Sequence, residues 1–243
     1  MDLLCGYEEE ELRLLLCYPL PTEECFVRRL VEAKLLGVRC FLRGGRHVIR
    51  GIPVVGKGTT AIVLAAEHLG GLKAAVKVRR LDANRVTLLG EARMLRLANR
   101  YGVGPPLLAA SRNMVVWKLV EGEPFYRWLE KTEDPQEIKE VLRKIVFQLY
   151  SLDEAGIAHN ELSRPGEHIL VEGRTPYILD FESATFNRSR SNLTQFLSIL
   201  AREGVLSTKL RETLGLDKKS ILDILRRYKQ ERDLAQLLES LSL

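Results

Sequence analysis

The feature that most constrains this chain is a single change of hydrophobic rhythm near Glu121-Gly122. From Val38 to that point the apolar runs are short and separated by glycines. Beyond it, apolar residues recur at helical spacing. Val38 to Leu42 and His47 to Ile52 flank Gly44-Gly45 and read as a hairpin. Val54-Val55 and Ile62 to Ala65 flank a second glycine-bearing turn, and Ala74 to Val78 follows Gly70-Gly71. A helix is expected over roughly Arg85 to Arg100, with Leu88, Ala92, Leu95 and Ala98 on one face. Leu107-Leu108 and Met114 to Leu119 read as two more strands. After Gly122, Ile138, Leu142, Ile145, Leu149 and Leu152 mark a long helix. Ile169 to Val171 and Tyr177 to Leu179 are short strands, and Leu193 to Leu243 is helical with breaks near Gly204 and Gly215. Strands followed by helices imply an α+β protein of two packed lobes.

Ahead of the strands, Glu8 to Glu11 precede Leu12, Leu14, Leu15 and Leu16, placing acids at the positive end of a helix dipole. Pro19 and Pro21 end that helix. Thr22 then reads as the N-cap of a second helix, which stops at Gly37. The expected division is therefore a helical extension over 1–37, a sheet lobe over 38–120 and a helical lobe over 121–243.

Hydrophobic residues make up 46% of the chain, enough for a substantial core, and the net charge of +5 is scattered rather than clustered. Nucleic acid is permitted as a partner by that charge but not indicated. Leu206 to Lys229, around Gly215 and Asp217, also reads as a helix-turn-helix, but packing helices give the same pattern and are the preferred reading. The four cysteines, Cys5, Cys17, Cys25 and Cys40, form no C-x-x-C pair and match no metal spacing. They read as buried thiols of a reducing compartment. With no signal-like start and no apolar run of bilayer length, a soluble cytoplasmic protein without membrane contact is expected.

Four residues in order carry the chemistry. In G-K-G-T-T-A-I-V, Gly56 and Gly58 let a turn approach phosphate oxygens, because no Cβ intervenes. Lys77 ends the strand A-A-V-K, 19 residues after Gly58, and Glu91 follows 14 residues later within the expected helix. A buried lysine keeps its charge only beside a carboxylate. Each residue alone reads as ordinary surface; the ordered set does not.

Here the chain resembles the protein kinase superfamily, over roughly Gly51 to Leu200. The resemblance implies a bilobal kinase-like fold, with an antiparallel-sheet N-lobe, a reduced helical C-lobe and ATP in a cleft. It casts Gly56, Lys57, Gly58, Thr59 and Thr60 as the glycine-rich loop, with Ala61 at the third glycine. Lys77 and Glu91 become the phosphate-positioning pair. Trp117 to Gly122 resembles the hinge, so Lys118 and Val120 would meet adenine. L-D-F-E resembles the metal-binding D-F-G, with Glu182 in place of glycine; Asp180 would then ligate Mg²⁺ or Mn²⁺. H-N-E-L-S-R-P-G-E-H-I-L-V resembles the catalytic loop. Glu161 stands at the catalytic aspartate and His168 at the metal-binding asparagine, two residues further along than usual, with Glu167 beside it.

The whole arrangement is similar to an atypical archaeal serine/threonine kinase-like family, comparable in size to RIO-type kinases and the kinase subunit of the KEOPS complex. The resemblance implies phosphoryl transfer from ATP to a protein Ser/Thr hydroxyl, on an unknown protein partner or on the chain itself. Two other readings use the same residues: a pseudokinase regulating a partner, and an ATPase or small-molecule kinase. Only 63 residues follow Asp180 and no A-P-E motif is present, so Arg188 to Asn192 leads directly into helix.

Overall fold

The computed structural model describes residues 3–187, 189 and 191–243, with the side chain of Glu167 left out. Arg188, at the start of the expected short connection into helix, lies outside the described residues. Contacts divide the chain into two units, Met1–Arg96 with Pro105–Leu119, and Leu97–Gly104 with Val120–Leu243.

In the first unit, helices α1 (Glu9–Leu16) and α2 (Glu23–Leu35) precede the strands β1 (Val38–Leu42), β2 (His47–Ile49), β3 (Ile52–Val54), β4 (Gly56–Lys57), β5 (Ala61–His68) and β6 (Leu72–Arg79). Helix α3 (Leu89–Arg100) and strands β7 (Leu107–Ala110) and β8 (Met114–Lys118) complete it, the last turn of α3 counting with the second unit. The main sheet runs β1-β5-β6-β8-β7, with β4 on β5, and its pairings are antiparallel.

Strand alternation gives this sheet two different faces. Ala74, Val76 and Val78 of β6 join Leu12, Leu15, Leu16, Phe26 and Ala33 of α1 and α2 in one buried cluster. Val115 of β8 packs instead with Ala92 of α3 and with Leu88, the residue just before that helix. The N-terminal helices therefore brace the back of the sheet. Two side chains fasten α2 there. Arg29, 4% exposed, donates to Asn113 O and Arg79 O, and Glu32 accepts from Ser111 and Asn113. Burial lowers the Arg29 pKa, with Glu32 opposing the shift.

Three expectations need correction. The four cysteines are not thiols: Cys5 bonds Cys40 and Cys17 bonds Cys25, with Cα separations of 5.4 and 6.1 Å, inside the range a disulfide spans. The first pairing arises because the N-terminal segment runs beside β1, bridging Leu4 to Phe41, which cysteine spacing cannot reveal. Next, β1 does not pair with β2 across Gly44-Gly45; it pairs with β5, and the hairpin is β2-β3. Its turn is Arg50-Gly51, both at positive φ (47° and 85°), as a two-residue hairpin turn requires. Gly45 serves a close crossing instead, since a Cβ there would lie 2.0 Å from Val54 O. Finally, α3 begins at Leu89 rather than Arg85, and Thr87 Oγ1 accepts from Leu89 N.

The second unit opens with β9 (Glu123–Pro124), α4 (Phe125–Lys131) and α5 (Pro135–Glu154). Then come β10 (Ile157–Ala158), α6 (Pro165–His168), β11 (Ile169–Glu172), β12 (Thr175–Ile178) and β13 (Thr185–Phe186). Helices α7 (Asn192–Leu197), α8 (Val205–Leu214), α9 (Lys218–Glu231) and α10 (Leu234–Ser240) follow. Asp134 caps α5 with Pro135 as its first residue, Gly215 at φ 68° ends α8, and Asp217 caps α9. Strands β12-β11-β9 form one small sheet and β10-β13 another. Val141, Leu142, Ile145, Leu149 and Leu152 of α5 are buried. Among the described residues, no helix is long and apolar enough to cross a membrane.

Candidate active site

In the first unit, pairing places Gly56 opposite Val63, Val63 opposite Lys77, and Lys77 opposite Val115. Residues directly opposite one another share a face, so the lysine stands on the α3 side, in one row with the glycine. Lys77 is 7% exposed and Glu91 6% exposed. The Lys77 ammonium donates to Glu91 Oε1 at 2.9 Å and lies 2.8 Å from Oε2. So close a buried pair meets the condition on which a lysine stays charged away from bulk water.

The glycine turn is held tightly. Gly58 N donates to Ala61 O, Arg80 N to Thr60 O, and the Arg80 guanidinium to Gly58 O at 2.9 Å. Asp82 fixes Arg80 through two bonds of 2.9 and 2.7 Å. Donating to the Asp82 carboxylate raises the Arg80 pKa. Tyr18 lies under the same guanidinium, 4.8 Å from carbon to ring centre. No sequence motif marks Arg80, although it lies three residues beyond Lys77 on the same chain segment. At Gly56 a Cβ would lie 3.1 Å from the Val63 side chain, a tight contact that Val63 would have to yield to. At Gly58 a Cβ would make only an ordinary contact, 3.4 Å from Ala61 O. Lys57 and Thr59 are exposed, and Thr60 is half-buried. At the end of β8, Lys118 N already donates to Pro106 O, so this residue does not offer its backbone N–H to a ligand.

In the second unit, Val120 is buried and Glu121 N donates to Glu172. Strand β10 delivers His159, Asn160 and Glu161. His159 is fully buried; its N–H donates to Asn192 Oδ1 at 2.8 Å, and its ring Nε2 donates to Leu179 O at 2.8 Å. Burial lowers its pKa to about 4, so the ring is neutral and serves as a fixed donor. The Leu179 peptide is held from the other side too, its N–H donating to His168 O at 2.8 Å. Asp180 follows this clamped peptide at φ 64° and ψ 72°. A non-glycine residue in that region is strained, and such strain persists only where surrounding bonds enforce it. Asn160, also at positive φ, donates to Ala158 O, Ser183 O and Thr185 Oγ1. Ser183 Oγ in turn donates to Glu161 Oε1 at 2.9 Å.

Glu161, His168 and Asp180 come together in this way, each offering a donor atom within 4.8 Å of the others. Two carboxylates and an imidazole at that spacing suit a divalent cation. Asn160 and Ser183, which orient Glu161, were not singled out in the sequence; the left-handed backbone of Asn160 leaves no mark in a one-dimensional pattern.

Beneath the loop lies a second set that no sequence motif marks. Asp153 accepts from Ser191 Oγ at 2.6 Å, from Asn192 N and Nδ2 at 2.7 Å each, and from Leu193 N at 3.4 Å. Asn192 Nδ2 also donates to Ile157 O at 2.7 Å. Burial pushes the Asp153 carboxyl upward, and these bonds oppose the shift.

The chain shares 77% of its length with the autoinhibited serine kinase domain of the giant muscle protein titin, covering 77% of that chain, at a TM-score of 0.54 and 13% identity. It has a protein kinase-like fold. An uncharacterized protein of Methanocaldococcus jannaschii is 29% identical over 116 residues, which is 46% of this chain and 98% of that protein. The KEOPS complex subunit Bud32 of Pyrococcus abyssi is 38% identical over 100 residues, 40% of this chain and 44% of the relative, so less than half of Bud32 is matched. No protein-family model matches the chain.

Proposed function

We propose that this chain binds ATP with a divalent cation and transfers the γ-phosphoryl group to a protein serine or threonine hydroxyl, its own included. The observation that carries this reading is the buried Lys77–Glu91 pair, standing in one strand row with Gly56. A charge costly to bury is retained where a sheet and a helix hold it in place. The Lys77 ammonium would neutralise phosphate oxygens beneath the Gly56–Thr60 turn. Gly58, whose missing side chain the protein's own packing does not require, lets that turn approach them. Asp180 and His168 would hold the cation, which supplies charge neutralisation across the phosphates. Glu161 would accept the acceptor hydroxyl proton as that oxygen bonds to phosphorus and the bond to the departing diphosphate breaks. Val120 is the hinge candidate for adenine.

An atypical, Bud32-like kinase of the archaeal kind fits the partial likeness in sequence. Because that relative is named as a complex subunit, a protein partner for this chain belongs to the same proposal. Incubating the purified protein with radiolabelled ATP and Mg²⁺ or Mn²⁺, with and without candidate protein, tests it. Label on protein supports kinase activity, free phosphate alone indicates an ATPase, and neither indicates a regulatory nucleotide-binding module.

Two variants separate the roles. Asp180→Asn keeps the shape but removes an anionic ligand, so nucleotide affinity with metal should fall to the metal-free value in calorimetry. Equal metal dependence in variant and wild type would make Asp180 a strained turn residue only. Glu161→Gln should lose turnover by about 10²-fold, within the usual scale for general acid–base residues, with ATP affinity retained. Unchanged single-turnover rates would remove Glu161 from the mechanism. Glu167, the neighbouring carboxylate, lies outside the described side chains; its Gln variant is the control.

A further inference from the structure

The second unit's donor set contains an imidazole where a magnesium site has only oxygens. We propose that Glu161, His168 and Asp180 form a site for a first-row transition cation, Mn²⁺ or Co²⁺, in preference to Mg²⁺. The inference deepens the kinase reading and rests on it for the cation's role, though the ligand chemistry stands on its own.

The donor atoms lie within 4.8 Å of one another. His168 is 12% exposed, and its Nε2 faces Glu161 Oε2 at 3.9 Å, too far for a hydrogen bond. Its other ring nitrogen, Nδ1, is buried with no hydrogen-bond partner among the described residues. A largely buried imidazole without a protein hydrogen bond is unusual, because buried polar groups are nearly always satisfied, by an ion where protein atoms do not suffice. The neighbouring His159 does not supply the bond. The two rings meet edge to face, 5.5 Å apart, His159 Nε2 is committed to Leu179 O, and His159 Nδ1 is likewise buried without a partner among the described residues.

The ring is nevertheless well placed. It ends α6, and its own carbonyl is bonded to Leu179 N, one residue before Asp180. Glu161 is oriented through Oε1 by Ser183, which turns Oε2 toward His168. A carboxylate has about four lone-pair sites. One bond from Ser183 and one contact to the cation therefore leave capacity for an acceptor hydroxyl, and the two roles of Glu161 coexist.

Selectivity follows from the donors. Mg²⁺ holds its water tightly and takes near-octahedral all-oxygen shells. An imidazole nitrogen favours later divalent ions, whose affinities rise from Mn²⁺ to Co²⁺. Exchanging His168 for an oxygen donor should erase the difference.

The test uses the metal-free full chain without nucleotide. Calorimetric titrations with MnCl₂, CoCl₂ and MgCl₂ are expected to show Mn²⁺ and Co²⁺ binding roughly tenfold tighter than Mg²⁺ or better. His168→Asn should bring the ratio close to one. Should that variant fold poorly, the wild type still decides. Mn²⁺ should broaden the His168 ring resonances in the proton spectrum at substoichiometric amounts, and Co²⁺ should give a visible absorption band. Equal affinity for Mg²⁺ and Mn²⁺ in wild type, or no broadening of His168, overturns the proposal. ATP binding measured in parallel separates the two ideas. ATP bound with no metal preference leaves the kinase reading standing and removes this one. Selective metal binding without ATP binding does the reverse.

Discussion

Lys77→Met is expected to lower phosphotransfer by about 10²-fold or more, the scale on which a single preorganised charge-stabilising donor acts, and to destabilise the first unit at the same time. Both effects come from one ammonium. It lies 2.8–2.9 Å from the Glu91 carboxylate in a site where the two residues are 7% and 6% exposed. Removing one partner of a buried pair commonly costs about 3–5 kcal/mol, because the other charge loses its compensation. Replacing both with apolar residues of similar volume is often neutral. The double variant Lys77→Met/Glu91→Leu should therefore recover most of the stability in denaturant titrations while turnover stays lost. Recovery of turnover together with stability would make the pair a structural feature of the sheet and helix, with no part in catalysis.

Asp153→Ala should be the most damaging substitution away from the reacting groups. It removes the acceptor of four hydrogen bonds that join the end of α5 to the start of α7. Asn192, released from Asp153, would no longer be positioned to bond Ile157 O and His159 N. Leaving buried donors unsatisfied costs about 1–3 kcal/mol each, so a loss of about 3 kcal/mol or more is expected. For a chain of this size that lowers Tm by roughly 6–12 °C. The pH dependence has a defined sign. Burial raises the folded-state pKa of Asp153, so the folded chain holds this proton to higher pH than the unfolded chain does. The group's contribution to stability is then greatest below the unfolded pKa and declines as pH rises through the folded value. A thermal shift within 1–2 °C of wild type would show that the network is dispensable.

Much of the first unit was legible in the residues. The glycine turn, the strand carrying Lys77 and the helix carrying Glu91 have local signatures, and the Lys77–Glu91 pair forms in the structure. Strand partners were less legible. Gly44-Gly45 reads as a hairpin turn, but the chain uses Gly45 where backbones cross and places its turn at Arg50-Gly51. Cysteine pairing likewise depends on which segments run side by side, and this is decided by the sheet.

In the second unit the strand before Asp180 and the apolar stripe of α5 were readable, whereas the supports of the site were not. Asp153 did leave a trace: it falls four residues after Leu149 and seven after Val146, on the buried face of α5, where a carboxylate needs partners. Those partners come from Ser191 and Asn192, nearly forty residues away, so nothing local announces them. Glu161 and His168 were identified by position along the chain. Their proximity depends on the loop from Asn160 to α6, whose positive-φ start is a three-dimensional fact.

The account turns on nucleotide binding. Calorimetric titration of ATP into the wild-type full chain, with and without Mn²⁺ or Mg²⁺, tests it most directly. The account predicts saturable binding that tightens when metal is present and weakens sharply in Lys77→Met/Glu91→Leu, whose fold can be checked independently. No binding by the folded wild-type chain under either condition would contradict it.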